Sequence, residues 1–202
     1  MARPSTQNLK RQELLEKAAV IFKRYGYDKT NLEDISKAMN LNKATLYYYV
    51  KNKEQLFFEV LLSECTQMLE ELNKQTLLKK TPEAQIKYYF SKRVGLYASM
   101  VRLGCLTKEQ LLVIQPAFMK IYHDVFSNDH HFVAAIVVQY FNGKLPANKL
   151  KECVNLLFDV SYAYKNEAAA FGDLIENNET ISIIQNKILK TQQHILQSFQ
   201  AI

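Results

Sequence analysis

Apolar side chains recur along this chain with the three-to-four-residue period of a helix buried on one side. In Gln12–Tyr25 the stripe is Leu14, Leu15, Ala18, Ala19, Ile21 and Phe22, and Gly26 is placed to end that helix as a left-handed cap. Thr30, with Glu33 three residues on, fits a capping box opening a second helix that buries Leu32, Ile35 and Met39. Asn40-Leu41-Asn42 then makes a turn. Asn40 tolerates the left-handed backbone, Asn42 suits an N-cap, and Leu41 is expected to point inward. From Lys43 to Val50 a third helix turns Leu46 and Val50 to the core.

A long amphipathic helix is predicted from Lys53 to about Lys74, with Leu56, Phe57, Val60, Leu61, Met68 and Leu72 inward. Further helices are expected near 83–103, 107–127, 129–142, 147–171 and 180–200. Pro82 and Pro146 suit first turns, Gly104, Gly143 and Gly172 suit helix ends, and Pro116 should kink the helix it interrupts. The pattern predicts an all-α fold. A three-helix head over residues 1–53 is followed by a larger helical body over 54–202.

Charge sharpens the picture. Residues 1–53 carry 11 Lys/Arg against 5 Asp/Glu, whereas residues 54–202 carry 15 against 15. The whole excess of +6 therefore lies beside the short helices, where neutralising phosphates would use it. A helix that enters the DNA major groove needs small or polar groups towards the bases and cations or hydroxyls towards the backbone. Lys43 suits guanine acceptors, and Ala44 permits close approach or contact with a thymine methyl. Thr45, Tyr47 and Tyr49 offer hydroxyls, Tyr48 an aromatic face, and Lys53 a cation at the start of the next helix.

Leu9–Leu61 resembles the head of the TetR family of bacterial transcriptional regulators. The likeness rests on Ala18, Phe22, Gly26-Tyr27, Thr30, Ile35, Lys43, Thr45-Leu46-Tyr47, Val50 and Lys53-Glu54-Gln55-Leu56. It implies that Thr30, Lys43, Thr45, Tyr47, Tyr49 and Lys53 contact DNA, chiefly its backbone. Three positions depart from the family pattern: Ser36 where alanine is usual, Asn40 where glycine is usual, and Ala44 where glycine is frequent. None removes a phosphate-binding group.

A groove-reading head gains from two-fold pairing on a palindromic operator. Ile181, Ile184, Ile188, Ile195 and Phe199 form a continuous seam, and Ala168–Ala170 permit close helix approach. The resemblance implies a homodimer through the last two helices. It also implies a small effector held within the body, which spreads the two heads. Candidates for that pocket are Tyr89, Tyr97, Met100, Tyr122, Phe126, Tyr140, Phe158 and Tyr162, apolar walls with a few hydroxyl handles.

Other chemistries find little purchase. Cys65, Cys105 and Cys153 lack metal-ligand spacing and are expected to be reduced, mostly buried thiols. His123, Asp124, Asp129, His130 and His131 cluster, but the pattern favours solvated turn residues over a metal site. No metal or cofactor is expected. Nucleophile, zinc-protease, P-loop and dinucleotide fingerprints are absent, which argues against an enzyme. The polar N-terminus carries no signal-peptide core, and the longest apolar run, Phe132–Val138, is too short to span a bilayer. The expectation is a cytoplasmic transcriptional regulator, a repressor released by a small apolar or amphipathic effector. The alternative is an effector-independent DNA-binding protein of the same fold acting through a protein partner.

Overall fold

The computed structural model of the protein describes residues 6–103, 120, 125, 129–170 and 178–200. Among these there are eight helices and no strand. They are α1 (Thr6–Lys29), α2 (Leu32–Ala38), α3 (Lys43–Tyr49), α4 (Lys53–Leu77), α5 (Pro82–Leu103), α6 (Asp129–Tyr140), α7 (Ala147–Ala170) and α8 (Asn178–Gln200). The predicted helix near 107–127, with Gly104, Pro116, Tyr122 and Phe126, lies outside the described residues, as do Cys105, His123, Asp124 and Gly172. Contacts divide the chain into two compact units, residues 1–67 with 99–125 and residues 68–98 with 126–202.

In the first unit α1, α2, α3 and the start of α4 enclose a small core. Leu14, Ala18, Phe22, Ile35, Leu46, Val50, Leu56, Phe57 and Val60 are all buried there. The Phe22 and Phe57 rings meet edge-to-face at 5.1 Å, and Tyr27 lies 4.8 Å from Phe57. Gly26 does redirect α1, but its φ of 81° and ψ of 164° are not those of the expected left-handed cap. The chain instead kinks at Gly26 and makes one further turn to Lys29.

The opening of α2 also differs from expectation. Its N-cap is Asn31, not Thr30, and the reciprocal acid is Asp34, not Glu33. The Asn31 side chain accepts from the Asp34 amide at 2.9 Å, while Asp34 accepts from the Asn31 amide at 3.1 Å. Thr30 is buried and donates its hydroxyl to the Gly26 carbonyl at 2.8 Å, tying the kink to the start of α2. The turn itself is as expected: Asn40 sits at φ 52° and Asn42 caps α3. Leu41 is only half-buried. Ser36 is buried with its hydroxyl donated to the Glu33 carbonyl at 2.9 Å, so the extra oxygen is satisfied.

In the second unit α6 packs on α7 and α7 on α8. Ile86, Phe90, Val94, Val133, Ile136, Val137, Val154, Leu157 and Phe158 fill its core. The α8 seam expected to face a second subunit faces this core instead: Ile181, Ile184, Ile188 and Phe199 are buried within the single chain and Ile195 is half-buried, while Leu196, outside the expected seam, is buried with them. An amphipathic helix has one broad apolar face, and here α7 covers it. Gln192 strengthens that junction by donating Nε2 to the Leu157 carbonyl at 3.0 Å.

Candidate DNA interface

The third helix is held from both ends and from beneath. Asn42 Oδ1 accepts from the Thr45 amide at 2.7 Å and from the Thr45 hydroxyl at 2.8 Å. At the far end Arg11 Nη1 donates to the Tyr49 carbonyl at 2.8 Å, while its Nη2 pairs with Glu59 of α4. A cation at a helix C-terminus satisfies an orphan carbonyl and opposes the negative end of the dipole. Beneath, Leu46 is 0 % exposed and Val50 is buried, so the opposite face must look outward.

That outward face carries Lys43, Ala44, Tyr47 and Tyr48, all exposed. Tyr47 and Tyr48 retain 47 % and 72 % of their surface, a large aromatic area to leave in water on a seven-residue helix. Tyr49 is half-buried and meets Tyr48 edge-to-face at 5.3 Å. Thr45 is half-buried with its hydroxyl proton given to the cap. Thr30 is 1 % exposed with its proton given to Gly26, so neither hydroxyl donates outward in this conformation.

A groove of about 530 Å³ runs along this face. It is lined by Thr30, Asn31, Leu32, Glu33, Lys43, Tyr47, Lys51, Asn52 and Lys53. Four predicted residues thus meet in one depression, joined by Asn31, Glu33, Lys51 and Asn52, which sequence reasoning had not placed there. Lys43 Nζ pairs with Glu33 Oε1 at 2.9 Å. The hydrogen bond between them holds Glu33 below the usual carboxylate range and Lys43 above the usual amine range. Lys53 is half-buried; its Nζ donates to the Tyr27 carbonyl at 2.9 Å and lies 4.4 Å from the centre of the Tyr27 ring. Asn52 caps α4, accepting from the Gln55 amide at 2.8 Å, so the positive end of that long helix opens beside Lys51 and Lys53.

The segment's family is visible in its sequence. A profile described as "Bacterial regulatory proteins, tetR family" matches residues 14–60. Residues 14–60 form a TetR-family head. The biofilm operon icaADBC HTH-type negative transcriptional regulator IcaR of Staphylococcus epidermidis is 43 % identical over 47 residues, 23 % of this chain and 25 % of that protein. The chain thus spans about a quarter of the length of the curated relatives it matches. A transcriptional regulator from Cytophaga hutchinsonii shares the fold over 93 % of this chain and 95 % of that one, with a TM-score of 0.66 at 22 % identity. FadR from Bacillus subtilis, solved with stearoyl-CoA, shares it over 90 % and 96 %, with a TM-score of 0.59 at 15 % identity. At these identities the likeness is one of fold.

Within the second unit, three predicted effector residues gather around a side chain that sequence reasoning missed. Arg93 is buried on α5, its guanidinium 5.0 Å from the Phe158 ring and 4.9 Å from the Tyr162 ring. Its Nη2 donates to the Tyr162 hydroxyl at 3.1 Å, and Nε lies 3.6 Å from Asp129 Oδ2. Tyr89, also buried, donates its hydroxyl to Asp129. Asp129 is therefore no solvated turn residue, and burial pushes its carboxyl up despite these partners. His130 is half-buried and stacks on Phe158 at 4.0 Å. The legible signal was Arg93 itself, an arginine in register with the apolar stripe Ile86, Tyr89, Phe90 and Val94. Tyr140 lies apart from this cluster, its hydroxyl accepting from Gln200 Nε2 at 2.9 Å. Tyr97 and Met100 fall on α5, and Tyr122 and Phe126 lie outside the described residues.

Proposed function

We propose that this protein is a sequence-specific DNA-binding transcriptional regulator, not an enzyme. The observation that carries the reading is α3: two exposed tyrosines, Lys43 and Ala44 face outward while Leu46 and Val50 anchor the helix from below. A short rigid helix with a wet aromatic and cationic face suits the major groove, and Lys51, Lys53 and the α4 N-terminus suit the flanking phosphates. Functionally, residues 1–53 serve as the DNA-binding head and residues 54–202 as the effector and dimerisation body.

Repression relieved by a small amphipathic ligand in the cytoplasm completes the proposal. Its support is the mixed aromatic and polar surroundings of Arg93, together with the fold shared with a regulator solved with stearoyl-CoA. No helix among the described residues is long and apolar enough to cross a membrane. Pairing on a palindrome would use the outer faces of α7 and α8, where Leu156 and Ile183 are exposed, because the predicted seam is spent internally.

The test is selection of duplex fragments from the source genome by the purified full chain, followed by titration of the enriched sequence. Enrichment of a palindrome bound far more tightly than random duplex is expected. Failure to retain any duplex at low ionic strength would refute the proposal.

A further inference from the structure

The groove beside α3 holds three lysines, Lys43, Lys51 and Lys53, and among its described lining residues one carboxylate, Glu33. An acid on a face built to meet phosphates is electrostatically out of place, since each phosphate it nears repels it. Local structure does not require it: α2 is capped by Asn31 and Asp34. Glu33 instead reaches from α2 to the first residue of α3, where its Oε1 accepts from Lys43 Nζ at 2.9 Å. Both side chains are exposed, so DNA can compete for either.

Resting on the DNA-binding reading above, we infer that Glu33 is a specificity-determining residue: it competes with phosphate for Lys43 and so weakens complexes that lack the right base edge. The asymmetry follows from donor and acceptor chemistry. A phosphate can satisfy Lys43 but leaves Glu33 facing a like charge. A guanine–cytosine pair can satisfy both, with O6 and N7 accepting from Lys43 and the cytosine amino group donating to Glu33. On random duplex the ammonium stays on Glu33 and releases no counterion from the DNA.

The experiment is fluorescence anisotropy with the full chain, comparing a random duplex and the selected operator across a potassium chloride series. Glu33→Gln keeps the side chain's size and an acceptor but removes its charge. Random-duplex binding is expected to tighten about two- to fivefold, the range of an exposed ion pair. Its salt slope should steepen by about 0.9, one more phosphate neutralised. Operator affinity should gain less, so discrimination falls. In a Lys43→Ala background the gain should vanish. Glu70→Gln, an equal charge change at an exposed position of α4, should leave the slope unaltered. Unchanged or weaker random-duplex binding by Glu33→Gln overturns the inference. So does a gain that persists without Lys43, which would mean a diffuse charge effect. If the wild-type chain binds no duplex, the regulator reading itself falls, and this inference with it.

Discussion

Replacing Asn42 with alanine removes the one atom that accepts both the Thr45 amide and the Thr45 hydroxyl, at 2.7 and 2.8 Å. N-cap losses of this kind cost about 1 kcal/mol, within a range of roughly 0.5–2. The loss matters more here than in a long helix. With seven residues, α3 makes few propagating hydrogen bonds to offset its nucleation, and within it only Leu46 is buried. About 1 kcal/mol multiplies the opening equilibrium by about five. Amide hydrogen exchange reads this directly at Leu46 and Val50, whose N–H groups bond to the Asn42 and Leu46 carbonyls at 3.1 Å. Their exchange should accelerate about fivefold, with far smaller changes at the buried Phe22 and Phe57. Operator affinity should fall by less, because it scales with the fraction of α3 that is folded. Asn42→Asp keeps the acceptor and should exchange like the wild type, yet bind DNA more weakly and in a salt-dependent way. Unchanged exchange at Leu46 in the alanine variant, or equal acceleration throughout the head, would refute the reasoning.

Lys53→Ala should weaken binding to every duplex and flatten the salt slope by about one unit, and an unchanged slope would reject a phosphate role. Leu46→Ala opens a hole under α3 at a site with no exposure and should cost about 2–5 kcal/mol of head stability. Operator binding should be lost while circular dichroism retains the signal of the long helices, and wild-type binding by this variant would contradict that anchoring role. Burial pushes the Cys65 thiol up to about 12 and the Cys153 thiol up to about 11. Site-resolved mass spectrometry after thiol alkylation at pH 8 should find both unmodified until the protein is denatured, because the reacting thiolate is scarce and covered. Rapid native labelling of either would show that the core opens easily.

Much of the candidate site was legible because it is written in local chemistry. Leu46 and Val50 are four apart and had to share a face, which put Lys43, Ala44, Tyr47 and Tyr48 on the other. Asn42 had a side chain suited to one geometry and adopted it. Where two neighbours offered similar chemistry, the local pattern misled. Thr30 with Glu33 fits the capping-box pattern, yet the adjacent Asn31 with Asp34 makes the reciprocal bonds. The choice fell to Asn31 because the Gly26 kink brings a carbonyl within reach of the Thr30 hydroxyl. That choice leaves Glu33 free for Lys43. Arg11 escaped notice for a related reason: its partners Tyr49 and Glu59 are remote in sequence and meet it only when α1, α3 and α4 pack together.

By itself the sequence determined, among the described residues, the helices and most of their inward faces, the turn between α2 and α3, and the concentration of positive charge at one end, since each depends on residues within a turn or two of one another. The tertiary structure decided what each apolar face meets. The apolar stripe of Ile181, Ile184 and Ile188 on α8 was bound to be buried, but only packing placed it against α7 rather than leaving it for a second copy. It likewise brought Arg93 to Asp129, Tyr89 and Tyr162, a pairing of distant polar groups that no periodicity encodes. Burial pattern is a property of one helix, whereas the identity of a buried partner is a property of the whole chain.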